Sequence, residues 1–199
     1  MHESAQQSLF EEAPRTELDA TSWVELHRSW LSSGDADALF AHLASTAPWQ
    51  QRTRWMFQER VLEPRLTAEY LDLRAAGSPL LDRVADGLSA RYGVPYDGAW
   101  LNLYRDGDDS TSWHGDRPTC KRPECVVPVL SLGATRRFAL RPAGGGTSTS
   151  LTVASGDLVV MGGRCQRDWR HAVPKMPRVA APRISVNFTS TTQRTPEHA

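Results

Sequence analysis

The rhythm of apolar and polar positions changes near residue 98. Before it, apolar residues recur at helical spacing. After it, they fall in short β-prone runs broken by Gly, Pro or Asp. Two helices are predicted in the first part. One covers Asp35–Thr46, with Leu39, Phe40 and Leu43 on one face and Asp35 or Asp37 as cap. The other covers Ser78–Tyr92. There Ser78 suits the N-cap, Pro79 the first helical position and Gly93 a left-handed stop, while Leu80, Leu81, Val84, Leu88 and Tyr92 share a face. Residues 49–66 mix aromatics and arginines irregularly and read as strand and loop. Strands are predicted at Trp100–Tyr104, Cys125–Leu132, Arg136–Leu140, Ser148–Val153, Leu158–Met161, Ala172–Val173 and Ile184–Thr189. That many short strands in so little chain predicts a mainly β core of the sandwich or barrel kind, such as a jelly roll, with an N-terminal helical extension. The implied organisation is a flexible tail over 1–20 and one domain over 21–199. Its extension covers 21–98 and its β core 99–190.

Composition adds little to this. The 199 residues, 40% of them hydrophobic and 23% charged, suit one globular domain. No run of about 18 apolar residues suggests a membrane span, and the polar, acidic start does not read as a secretory leader. A cytoplasmic protein without an obligate protein partner is the default expectation. Three cysteines, Cys120, Cys125 and Cys165, argue against a disulfide framework, and reduced thiols are expected. Charge is more informative. Residues 1–99 hold 9 basic and 15 acidic side chains, and residues 100–199 hold 14 and 8, so the chain is neutral but its second half is basic. A basic half can face a phosphate backbone or be an ordinary mixed surface.

The candidate chemistry centres on His114-Gly115-Asp116. Side chains one residue apart on an extended strand point the same way, so an imidazole and a carboxylate can converge on one metal ion. His171, 55 residues beyond Asp116, sits on a later predicted strand and can complete the set. His2 and His198 lie in the tails, and His27 and His42 in helix-prone segments. Two histidines and a carboxylate form the facial triad of non-haem iron(II) oxygenases, although nitrogen and oxygen ligands also suit manganese, cobalt or nickel. Asn102 and Tyr104 share one strand face and can meet a dicarboxylate. Arg183 opens the last strand and can pair with a carboxylate in bidentate fashion.

The run N-x-Y-x(9)-H-x-D at Asn102–Asp116, the later GDLVVMGG, the W-x-H ending at His171 and the R-x-S-x-N-F from Arg183 together resemble the AlkB family of iron(II)- and 2-oxoglutarate-dependent dioxygenases. The likeness covers roughly residues 48–190 and extends to the EPRLTA run from Glu63 and the GGRCQ run from Gly162. It implies a double-stranded β-helix with a nucleotide-recognition extension. It implies His114, Asp116 and His171 as iron ligands, Asn102, Tyr104 and Arg183 as 2-oxoglutarate contacts, and O2 as co-reactant. The implied reaction is oxidative demethylation of bases such as 1-methyladenine and 3-methylcytosine in alkylated DNA or RNA, releasing formaldehyde and succinate. Two features depart from the family. Thr189 stands where a second arginine is usual, and Arg117-Pro118 stand where an acidic residue often follows the metal aspartate.

A base in a duplex cannot reach a buried metal, so the substrate must be flipped or single-stranded. Trp55, Phe57 and Tyr70 are the stacking candidates, and Arg52, Arg54 and Arg65 the phosphate candidates. Trp169 flanks His171, and Arg164, Arg167 and Arg170 form a basic run before it. The competing readings are an oxygenase acting on tRNA, protein or a small molecule, and a non-catalytic binder of damaged nucleic acid.

Overall fold

The computed structural model describes residues 15–56, 58–116 and 120–195, excluding the side chains of 54–56. In chain order the elements are β1 Arg15–Glu17, β2 Ser22–His27, α1 Ser33–Thr46, β3 Thr53–Met56, β4 Glu59–Leu62, β5 Leu66–Tyr70, α2 Pro79–Tyr92, β6 Gly98–Tyr104, β7 Thr111–His114, β8 Val127–Gly133, β9 Arg136–Pro142, β10 Thr149–Val153, β11 Leu158–Gly163, α3 Cys165–Asp168, β12 Trp169–Val173, β13 Arg183–Thr189 and α4 Thr191–Arg194. A seven-stranded sheet runs β1-β2-β11-β8-β13-β6-β5, a four-stranded sheet runs β10-β9-β12-β7, and β3 and β4 form a separate hairpin. The two larger sheets make the expected jelly roll. No described helix is long and apolar enough to cross a membrane.

Period-2 alternation decides which face of the large sheet meets what. Leu130 and Leu132 of β8, Leu158 and Val160 of β11, and Ile184, Val186 and Phe188 of β13 join one core with Leu39 and Leu43 of α1 and Leu81, Val84 and Leu88 of α2. The alternate positions Val127, Val129, Val159 and Met161 face the small sheet and pack with Phe138, Leu140, Val153 and Val173. The helices thus cover one face of the large sheet, and the small sheet covers the other.

The α2 signals hold as expected: the Ser78 side chain accepts from Leu81 N, and Gly93 takes φ 65°. At α1 the cap is Ser32, not Asp35 or Asp37. Its hydroxyl accepts from Asp35 N, and the Asp35 carboxylate accepts from that hydroxyl at 2.8 Å. The aspartate therefore completes the cap from the first turn rather than forming it. Residues 1–14 lie outside the described residues. Of the segment expected as a tail, Arg15–Glu17 pairs with β2. His27 sits on β2, not in a helix, bonded to Glu25 at 3.1 Å. β1, β2 and β5 all lie in the large sheet, so that sheet draws on both sides of residue 98. Cys120 and Cys125 form a disulfide instead of staying reduced, and Cys165 is free and buried. Backbone bonds from Cys120 N to Asp116 O and from Cys125 N to Gly163 O help set the two residues 6.0 Å apart at Cα. A local clip of this kind needs no framework.

The Gly162-Gly163 pair has two separate causes. The Trp23 indole lies across Gly162, its partner in the β2–β11 register, where a Cβ would overlap the ring. Gly163 takes φ 64°, and a Cβ there would stand 2.0 Å from Thr21 O. We expect Gly162→Ala to cost about 1–3 kcal/mol through overpacking, lowering the melting temperature by several degrees. An unchanged melting temperature would mean the indole does not occupy that position.

Candidate active site

β7 and β12 pair at the edge of the small sheet with His171 directly opposite His114. Residues opposite each other in an antiparallel pair share a face, and the two ring centroids stand 4.2 Å apart. Asp116 is placed differently from expectation. β7 ends at His114, and the carboxylate comes from the loop beyond it. A Cβ at Gly115 would stand 2.5 Å from Gln166 O, so glycine lets this loop press against α3. There the Gln166 side-chain oxygen accepts from Asp116 N at 2.8 Å. The Asp116 carboxylate then lies 3.5 Å from Nε2 of His114 and 3.5 Å from Nε2 of His171. One ligand atom from each residue falls within 4.8 Å of the others.

The orientation of the His114 ring suits metal binding. Its Nδ1 is 2.8 Å from Ser112 O. A carbonyl only accepts, so Nδ1 carries a hydrogen, and the neutral ring has its lone pair on Nε2, facing Asp116 and His171. Burial opposes charge on His114, but the hydrogen bond and charge of Asp116 outweigh it and raise the pKa. Burial pushes His171 down to about 4 despite Asp116, so it is neutral at pH 7. It also stacks on Phe138 at 5.3 Å. Burial would raise the Asp116 carboxyl, yet His171, His114 and the more distant Arg65 bring it down to about 2.

The triad opens on a cavity of about 250 Å³, which Asn102, Tyr104 and Arg183 also line. Arg183 is 1% exposed. Its Nε donates to Ser131 Oγ at 2.9 Å, while its buried Nη1 has no hydrogen-bond partner among the described residues. Burial lowers its pKa, but a guanidinium keeps its proton. Tyr104 lies 5.4 Å from the Arg183 guanidinium and 2.8 Å from Thr111 Oγ1 through its hydroxyl. The structure thus gathers the triad, Asn102, Tyr104 and Arg183 around one space.

The nucleic-acid candidates fare otherwise. Phe57, the Trp55 and Arg54 side chains, and Arg117-Pro118 lie outside the described residues. Tyr70 is buried in the helix-side core and offers no stacking surface, because β5 turns it toward the helices. Arg65 points into the cavity, paired with Glu63 at 3.1 Å, rather than toward a backbone outside. Arg52 lies over the Trp100 ring at 4.3 Å. Trp169 donates from Nε1 to Asp19 at 2.6 Å. Arg164 pairs with Asp168, Arg167 donates to the Lys121 and Arg122 carbonyls, and Arg170 donates to those of Arg167 and Trp169. Sequence reasoning missed three residues. Trp100 and Asn187 line the cavity. Arg136, 1% exposed, lies 5.3 Å from the other guanidinium's partner ring, Tyr104. The alternation of Arg136, Phe138 and Leu140 on β9 carried the signal for an inward arginine.

The chain matches the 2OG-Fe(II) oxygenase superfamily over residues 24–189. It is 33% identical over 175 residues to alpha-ketoglutarate-dependent dioxygenase alkB homolog 3 of Bos taurus, covering 77% of this chain and 61% of that protein. It is 27% identical over 188 residues to DNA oxidative demethylase ALKBH2 of Arabidopsis thaliana, covering 75% and 60%. The chain thus spans about three-fifths of these relatives' length. Among solved structures, a 2OG-Fe(II) oxygenase family oxidoreductase from Burkholderia pseudomallei superposes with TM-score 0.53 at 17% identity, covering 84% of each chain. OsALKBH1 superposes with TM-score 0.57 at 14% identity, covering 89% of this chain and 100% of that one. These two share the fold. Family match, curated relatives and the His-Asp-His geometry agree that the chain belongs to the 2OG-Fe(II) oxygenase superfamily, as an AlkB-like member.

Proposed function

We propose that the protein oxidatively dealkylates nucleic-acid bases such as 1-methyladenine and 3-methylcytosine, using iron(II), 2-oxoglutarate and O2. The observation that carries the reading is one cavity holding both an N,N,O triad and a buried guanidinium that, among the described residues, has no carboxylate to balance it. A buried unpaired charge is costly, so the site fits an anion that the ligand itself supplies. The charges also fit: a divalent metal, ionised Asp116, Arg183 and a dicarboxylate sum to zero. The printed names of relatives, an alkB homolog and a DNA oxidative demethylase, support nucleic-acid bases as the substrate class.

When bound, iron(II) with 2-oxoglutarate and O2 supplies the oxidation that hydroxylates the N-alkyl carbon, after which the adduct releases formaldehyde. The chain's own part is placement. His114, Asp116 and His171 would hold the metal at the cavity wall. Arg183 takes the distal carboxylate through its free Nη1, while Ser131 fixes the head from behind. Val129, Phe138 and Val173 give the cavity an apolar wall that limits water beside the metal. A base would have to be flipped or single-stranded to reach this cavity, whose lining includes Trp100.

Incubation with iron(II), 2-oxoglutarate and methylated oligonucleotides should yield formaldehyde and succinate, and Asp116→Ala or His171→Ala should reduce both to background while circular dichroism stays unchanged. Succinate without base repair would move the substrate outside nucleic acid. We expect Arg183→Lys, which keeps the charge but loses the planar fork, to raise the 2-oxoglutarate requirement by about ten- to a hundredfold. An unaltered requirement would remove Arg183 from the cosubstrate. Oligonucleotide binding should weaken as salt rises, and a flat response would count against a phosphate-bearing substrate.

A further inference from the structure

Asn102 is held from three sides. Arg65 Nε donates to its Oδ1 at 2.9 Å, Trp100 Nε1 donates to the same oxygen at 3.2 Å, and its Nδ2 donates to Ser185 Oγ at 3.1 Å. Guanidinium and indole nitrogens are donors only. The atom they both face must be oxygen, so the usual ambiguity between amide oxygen and nitrogen is removed by chemistry. The amide nitrogen carries two hydrogens and Ser185 takes one. The other remains on a residue that lines the cavity beside Arg183 and the triad. The two donors are themselves anchored. Arg65 pairs with Glu63 at 3.1 Å, and Trp100 carries the Arg52 guanidinium over its ring at 4.3 Å.

We propose that Trp100 and Arg65 are positioning residues for the dicarboxylate, acting through Asn102. They fix the rotation of its amide so that the N–H edge, never the carbonyl, is presented to a carboxylate in the cavity. The inverted amide would set its lone pairs against that carboxylate and would leave two half-buried donors facing an NH2 group. The inference rests on the reading of this cavity as the 2-oxoglutarate site. It assigns Trp100 a role that its ring alone could not fill, because a phenyl group of similar shape lacks the N–H.

The test is a calorimetric titration of 2-oxoglutarate into oxygen-free, Mn(II)-loaded protein. It compares wild type, Trp100→Phe, Asn102→Ala and the double variant, with Mn(II) affinity and melting temperature measured alongside. Trp100→Phe should weaken 2-oxoglutarate binding about three- to tenfold, the worth of one hydrogen bond, without changing Mn(II) affinity. In the Asn102→Ala background the same substitution should change it less than about twofold, because its effect has already been removed. Equal factors in both backgrounds, or no change in the single variant, would overturn the proposal. Should Trp100→Phe fail to fold, Arg65→Lys carries the same prediction and the same cycle. Wild-type protein that does not bind 2-oxoglutarate would overturn the cosubstrate reading as well. Binding by wild type with unaltered variants overturns the positioning role alone.

Discussion

The site depends first on a register. His114 and His171 meet because β7 and β12 pair with those two residues opposite each other, and a one-residue slip would turn one imidazole to the outer face of the small sheet. Packing pins that register. β12 also pairs with β9, setting His171 against Leu140, while Phe138 stacks on the imidazole from the same inner face. The carboxylate obeys a different rule. It hangs from a loop that can approach α3 because residue 115 has no side chain, and Gln166 takes its amide hydrogen. Two ligands are thus specified by the sheet and one by a glycine.

A second constraint sets the opposite wall. On β13, Ile184, Val186 and Phe188 face the helices, so Arg183, Ser185 and Asn187 must face the interior. Burial of each large apolar side chain contributes about 1.5–3 kcal/mol. Three together match the several kcal/mol that desolvating one guanidinium costs. Turning Arg183 outward would forfeit that apolar contact, so the helices hold the cation inside. The helical layer therefore acts on the chemistry at one remove, by deciding which way an alternating strand points.

This difference explains what could be read from the sequence. Helix α2 and the β-rich second half follow from local signals, because a cap, a glycine stop and short alternating runs carry their physics within a few residues. The triad was legible because histidine is scarce here and H-x-D is compact. The route by which Asp116 reaches the metal was not, since Gln166 lies 50 residues away. Tyr70 went astray for a related reason. An aromatic beside a basic stretch suits either a stacking platform or a core, and only the pairing of β5 with β6 decides. The Asn102 lock likewise joins segments that the fold alone brings together.

On the proposed function, charge around the cavity answers two opposing demands. A dicarboxylate needs a cation in the depth of the site, whereas an N-alkylated base such as 1-methyladenine is itself cationic and is repelled by one at the mouth. The arginines are distributed accordingly. Arg183, in the depth, has no carboxylate partner among the described residues. Arg65 and Arg52, on the wall, stand beside Glu63 at 3.1 Å and Glu69 at 3.9 Å. At position 189, where the family resemblance leads one to expect a further guanidinium, Thr189 is buried instead. It receives a hydrogen bond from Arg194, which also faces Glu69 at 3.7 Å. The Arg194 guanidinium stands beside a glutamate and does not line the cavity. Among the described residues that line the cavity, Arg183 is then the one guanidinium with no carboxylate at ion-pair distance. Asn102 adds an N–H in place of a second cation, a donor that can meet a carboxylate without repelling a positively charged base.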